Sequence, residues 1–528
     1  MDVLGRVRRG RRRITAAAAR AAAVAVSVVV VAGVSTACSA PLPLAGAAYG
    51  SLTTAAGGGK DSPRQLPIAL THAPSSAASV LAGAAPDVLT AEFAKALFVT
   101  SPVVVVAAEG GPALAAAVPA DRAAHAPLLV APKITAQLVA TVSGLRPRAV
   151  LLVGLPRAIL AARLPGIRVV SRAAQLPLTG VPAPLSRVAV LVGVARDDPV
   201  ITAVEATAAA AGATVVGMVG GDPRADPAAI EALARLRPLD VVGVGAQFSP
   251  ASRLDSRLAV AETGRQLPGG GQVLFPGRRL VALYGYPGTP ALGVLGQQGL
   301  TASVARAEQL AAAYQPLSGV PVVPAFEIIA TVAEASPGPD GTYSYESPVS
   351  SLRPWVSAAA AAGLYVILDL QPGRAGLLAQ ARRYEPLLRL PDVGLAIDAE
   401  WKLQPGQRPL RQTGHVDAGE VNSVIGWLAA LTGRYHLPQK LLVLHQFQLS
   451  MISGEPGLDT GEDDLAIVVH MDGQGTPAAK LETWNAVTAA APPGVFFGWK
   501  NFLVKDHPML TPEQTMANVP APAMISYQ

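Results

Sequence analysis

Asp398 and Glu400 stand two residues apart at the end of an apolar run, with Trp401 beside them. In extended chain, residues i and i+2 point to the same side, about 6.5–7 Å apart at Cα. Two carboxylates placed this way suit cleavage of a glycosidic bond. One protonates the leaving oxygen while the other attacks the sugar or activates water. Their proximity raises the pKa of one of them and so makes the proton donor. Asp369, at the end of another apolar run, completes a catalytic set of three acids. Trp401 and Trp499 offer flat faces for stacking on sugar rings.

The same pattern, an apolar run finishing in polar or aromatic groups, recurs along the C-terminal half. It delivers Tyr284, Glu327, His445 with Gln446, His470 with Asp472, and Trp499 with Lys500. Together with Trp401, these nine residues form the expected substrate-binding set. His445, His470 and Asp472 could in principle hold a transition metal. No His-Glu-x-x-His pattern fixes their geometry, however, so hydrogen bonding to substrate is the preferred reading, with no metal and no cofactor expected. No G-x-S-x-G elbow supports a serine hydrolase.

The elements that must carry these residues lie between 278 and 528. Strand candidates fall at 281–286, 320–327, 364–370, 393–398, 441–447, 465–470, 495–499 and 524–527. Helical stretches at 301–314, 352–362, 377–390, 418–435 and 476–491 separate most of them. This count predicts a (β/α)8 TIM barrel, whose usual size is about 250 residues and whose chemistry sits at the C-terminal strand ends. An Asp-x-Glu at such a strand end resembles the strand-four acids of several glycoside hydrolase families. That resemblance implies a carbohydrate substrate.

Between 85 and 270 short β-branched runs alternate with Ala-rich helical runs, at 103–107, 128–131, 149–154, 167–170, 187–193, 214–219 and 241–245. Continuous apolar strands between helices predict Rossmann-like parallel sheets. A dinucleotide is excluded because no strand leads into G-x-G-x-x-G with an acid about 20 residues on. The order Leu89-Thr90-Ala91-Glu92-Phe93, then 103–107, Ala113-Leu114-Ala115, Ala126-Pro127-Leu128 and Arg148-Ala149-Val150 resembles the cell-wall-binding repeat family 2. The resemblance covers about 85–171, with 186–250 as a second, degraded copy. It implies attachment to wall polymers. Pro112 stands where that family usually has Asp.

The 528 residues are 51% hydrophobic and 15% charged, which excludes a disordered chain. A net charge of +6 suggests an anionic partner, but residues 1–37 carry seven Arg and one acid. Without them the chain has 35 basic and 35 acidic residues, so no nucleic-acid partner is implied. Residues 1–37 read as a signal peptide: Arg6 to Arg13, an apolar stretch at 21–34, then Ser35-Thr36-Ala37. Cys38, the one cysteine, follows directly, and the segment resembles a bacterial lipoprotein signal in which that Cys is acylated. Residues 38–80, rich in Ala, Gly, Ser and Pro, read as a flexible tether. The expectation is an exported protein, lipid-anchored at the outer face of the membrane, with cell-wall polysaccharide as partner. The whole layout is similar to that of uncharacterised actinobacterial secreted lipoproteins.

Three readings remain open at this level. The barrel binds and hydrolyses a wall glycan. Or it is a pseudo-enzyme that only holds sugar. Or residues 86–280 form a solute-binding module, which would need two complete lobes.

Overall fold

The structure, a computed structural model, describes residues 65–194 and 198–528. The signal-like segment and Cys38 lie outside the described residues. No described helix is long and apolar enough to cross a membrane.

The N-terminal half contains two four-stranded parallel sheets. We label β1 (Ala78–Leu81), β2 (Val103–Ala108), β3 (Leu128–Ala131), β4 (Ala149–Val153), β5 (Arg168–Val170), β6 (Val188–Gly193), β7 (Thr214–Met218) and β8 (Asp240–Val244). The first sheet runs β3-β2-β4-β5 and the second β7-β6-β8-β1. Both orders are the same, but their fourth strands have different origins. β5 follows β4 along the chain, whereas β1 comes from before the first module and pairs in parallel with β8, Ala78 opposite Val241. The tether expected at 38–80 is therefore too long by its last residues, because β1 is an integral strand. The second lobe, like the first, has four parallel strands.

Val103 to Val106 are wholly buried, as continuous apolar strands covered on both faces must be. One core joins the sheets, combining Phe93, Leu97 and Val104 with Val190, Val204 and Val242. A helix at Pro199–Ala211 forms part of the shared layer. Asp198 caps its start by accepting from Val200 and Ile201 N–H, and Gly212 ends it at φ +68.

The C-terminal half is a closed barrel of eight parallel strands. They are β9 (Arg279–Gly285), β10 (Val322–Ala333), β11 (Tyr365–Leu370), β12 (Val393–Asp398), β13 (Lys440–Gln446), β14 (Leu465–Met471), β15 (Phe496–Asn501) and β16 (Met524–Tyr527). Pairing of β9 with both β10 and β16 closes it. Helices at Leu300–Tyr314, Val349–Ala361, Leu377–Arg383, Ala418–Arg434 and Pro477–Ala490 follow the first, second, third, fourth and sixth strands. The connection from β13 to β14 departs from that rhythm, with only 3-10 turns and a two-residue strand.

Ion pairs fasten the halves together. Arg224, 2% exposed, meets Asp222 at 2.9 Å and Asp463 at 2.7 Å, and Arg257 meets Asp463 at 2.6 Å. Asp463 lies just before β14, at the N-terminal end of the barrel. The sheet modules therefore dock on the end opposite the polar strand termini.

Candidate active site

Alternation along the barrel strands decides which side chains face the axis. Leu441, Val443 and His445 point inward on β13, as do Ala466, Val468 and His470 on β14. Backbone register sets Asp398 opposite His445, His445 opposite His470, and His470 opposite Gly498. Glycine is required at 498, because a Cβ there would sit 2.4 Å from His470 Cδ2.

A cavity of about 290 Å³ opens above this layer at the C-terminal strand ends. Tyr284, Asp398, Glu400, Trp401, Asp472 and Lys500 are among its lining residues. Six of the twelve sequence-selected residues thus converge on one space. Asp398 closes β12, but Glu400 belongs to a 3-10 turn, Ala399–Trp401. The pair therefore meets the cavity through a turn, not through the strand spacing expected for it.

Beneath the cavity lies a tier of buried charge. His445 donates from Nε2 to Glu327 at 2.8 Å and from Nδ1 to Asp472 at 2.9 Å. A ring facing a carboxylate at each nitrogen satisfies both only as the imidazolium. Burial alone would strip its proton, but Glu327 and Asp472 outweigh burial and raise its pKa well above the usual value. Lys500 Nζ lies 3.1 Å from Asp472 and 3.5 Å from the centre of the Tyr284 ring. Burial would raise Asp472, yet Lys500 and His445 hold it well below the ordinary carboxylate range. Glu327, expected to bind substrate, instead pairs with His445 below the cavity.

Two cations and two anions make this tier neutral, and any further carboxylate adds unbalanced charge. Asp369 is raised to about 6, chiefly by burial and then by Glu327, against the pull of His445; it accepts from Tyr284 Oη at 3.0 Å. Burial, then Glu400 and Asp369, push Asp398 well above its usual value. Oxygens or nitrogens of Asp398, His445 and Asp472 all lie within 4.8 Å of one another. Like charges that close do not both ionise, so Asp398 keeps its proton while Asp472 gives it up. Glu400 is pushed up to about 7, by burial first and by Asp472 second. The neighbouring charge that holds its proton is Asp472, not Asp398 as the Asp-x-Glu spacing had suggested. Asp398 Oδ1 and Asp472 Oδ1 are buried without a hydrogen-bond partner in the protein.

The Asp398, His445 and Asp472 cluster has the spacing of a cation site. Lys500 already supplies positive charge there, and both His445 nitrogens are committed to carboxylates.

Five expected substrate contacts do not line the cavity: Glu327 and His445 pair with each other beneath it, and Trp499, Gln446 and His470 are turned or sunk away from it. Trp499 is fully buried on the outer barrel face, 5.6 Å from Trp484 between ring centres. Gln446 also points outward and donates to Glu455 at 2.8 Å. His470 faces the axis but lies deeper, 3.1 Å from Ser526 Oγ, and burial lowers it to about 3. Conversely, Gln371 escaped notice. It lines the cavity and donates to Tyr284 Oη at 3.2 Å and to Asp398 at 3.4 Å. Its place two residues after Asp369 continues the inward parity, and that was the available signal. Phe447, Phe502 and Lys505 complete the rim.

No protein-family model matches the chain, and no curated protein matches its sequence.

Proposed function

We propose that this is an exported, lipid-anchored envelope protein whose barrel, of the (β/α)8 TIM class, binds and hydrolyses a cell-wall glycan. One arrangement carries the catalytic part: Glu400 and Asp472 line a single cavity, where burial and Asp472 push the Glu400 carboxyl up to about 7 while Lys500 and His445 hold Asp472 low. Split protonation of neighbouring carboxyls is what acid-assisted glycoside cleavage needs. Glu400 gives its proton to the leaving oxygen as the C–O bond breaks. Asp472 offsets the positive charge that develops on the sugar carbon. Water adds its hydroxide to that carbon and returns its remaining proton to Glu400. Asp398 fixes Gln371 on the cavity wall, and Trp401 supplies a face for a sugar ring.

Release of reducing sugar from wall polysaccharides by the full chain tests this. Glu400→Gln should lower turnover by about 10²–10⁴ while sparing affinity, since Gln keeps the shape without the exchangeable proton. Native turnover should fall as pH rises through about 7, where Glu400 loses its proton, and that limb should vanish in the variant. Undiminished turnover in Glu400→Gln would remove the assignment.

A binding-only barrel is the second reading, favoured by one feature. A carboxylate clamped as firmly as Asp472 is a weak base. Measurable glycan affinity without any turnover in the native protein would select it.

Support for the envelope location comes from residues 1–38, with Arg6 to Arg13, the apolar stretch and the single Cys38. Cys38→Ala should move the protein from the detergent phase to the aqueous phase in Triton X-114 partitioning. Wall docking by the sheet modules rests on the repeat-family resemblance at 85–171.

A further inference from the structure

A second cavity, of about 330 Å³, adjoins the first, and Glu400 and Trp401 line both. Its other walls come from the loop 402–414, including Leu403, Leu410, Arg411 and Thr413. Backbone bonds fix this loop in place. Gly414 N–H donates to the Glu400 carbonyl at 2.6 Å, and Leu403 N–H to the Gly373 carbonyl at 2.8 Å. A Cβ at 414 would lie 2.2 Å from Lys402 O and 2.5 Å from Glu400 O, so only glycine lets the loop close beneath Glu400. Farther out, Arg374 donates to the Gln407 carbonyl at 2.7 Å. Lys402 is spent on Glu420, at 2.7 Å.

A proton donor to a leaving oxygen must stand between the two parts of the substrate that separate. Glu400 divides two compartments, so sugar units on both sides of the broken bond have somewhere to sit. The compartments differ in charge. The first holds Asp398 and Asp472 against Lys500 and Lys505. The second has no acid besides Glu400, and the chain from 401 to 416 has none either. Exposed Arg408 and Arg411 occur in that stretch, with Arg411 on the cavity wall. A guanidinium fork gains little from a neutral sugar but pairs closely with a carboxylate or phosphate.

We infer that the second cavity is the leaving-group subsite and takes an anionic sugar unit, so the substrate is the interior of a carboxylate- or phosphate-bearing wall polymer. This rests on the glycan reading above. The test uses the full chain carrying Glu400→Gln, which binds without cutting, and purified bacterial sacculi in three forms. One form is untreated, one is stripped of phosphate with hydrofluoric acid, and one is amidated at its carboxylates with carbodiimide. Adding Arg411→Ala should weaken binding to untreated sacculi by about tenfold, the worth of a charged hydrogen bond. Arg411→Lys should recover part of that loss. Loss of affinity on acid stripping alone identifies phosphate, and loss on amidation alone identifies carboxylate. Equal binding by parent and Arg411→Ala, with all three forms bound alike, overturns the subsite while leaving the glycan reading intact. No binding to any form, with no sugar released by the native protein, removes both.

Discussion

The sheet modules and the barrel each bury an aspartate, in opposite surroundings. Asp121, on the helix Gly111–Ala124, is wholly buried, and neither of its oxygens has a hydrogen-bond partner. Burial pushes its pKa well above the usual value, against a smaller pull from Arg122. Asp472 has a side chain 8% exposed, yet Lys500 and His445 hold it ionised. Desolvation disfavours a lone charge, and well-placed opposite charges reverse that preference. Asp472 stays ionised in the barrel interior because two cations pair with it, whereas Asp121 has no partner and burial drives it towards the neutral form.

Breaking the clamp should have the largest effect. Lys500→Met leaves Asp472 with one cation, and truncating one partner of a buried pair costs about 3–5 kcal/mol. Urea unfolding at pH 7 should report a loss of that size. Unchanged stability would mean that Lys500 does not hold the charge.

The converse test concerns Asp121. Its folded pKa exceeds its unfolded one, so above about pH 4 the native state holds a proton that the unfolded chain has released. Stability should therefore fall as pH rises through that window, by about 1.4 kcal/mol per unit for one proton. Asp121→Asn should flatten the slope measured by unfolding at pH 4.5 and 6.5. A slope that survives the substitution would place its origin elsewhere.

The smallest effects sharpen the contrast between the two barrel faces. Trp401→Ala should lower glycan affinity by about 2–10-fold, the worth of one aromatic contact. Trp499→Phe should leave affinity unchanged, because its ring packs on Trp484 outside the barrel. Calorimetric titration with wall oligosaccharides reads both.

Much of this architecture was legible beforehand. All eight barrel strands and seven of the eight sheet strands form where apolar runs stand, because such runs bury both faces of a parallel sheet. That same property hid the parity. Trp499 and Lys500 are neighbours, as are His445 and Gln446, and a one-residue step moves a side chain to the other face. With both faces apolar, hydropathy alone does not say which neighbour turns inward. The tier of pairing under the cavity was not legible, since Glu327, His445 and Asp472 meet only when the barrel closes. Glu400 reached the cavity for a reason other than the one that singled it out.

β1 was missed because nothing local marks it. Its partner lies roughly 160 residues later, at β8. That separation orders events on the ribosome. The first sheet can assemble from a continuous stretch as it emerges, but the second must wait until its final strand meets a segment made long before. At about 5–20 residues per second, β1 stays unpartnered for about 10–30 s. Until then β1 is an unpaired strand, a surface prone to pairing with other chains. The arrangement also ties the two lobes like a clasp whose tongue is sewn on at the opposite end. A fragment starting at residue 85, where the first repeat-like segment begins, would lose not its own sheet but the edge of its neighbour's.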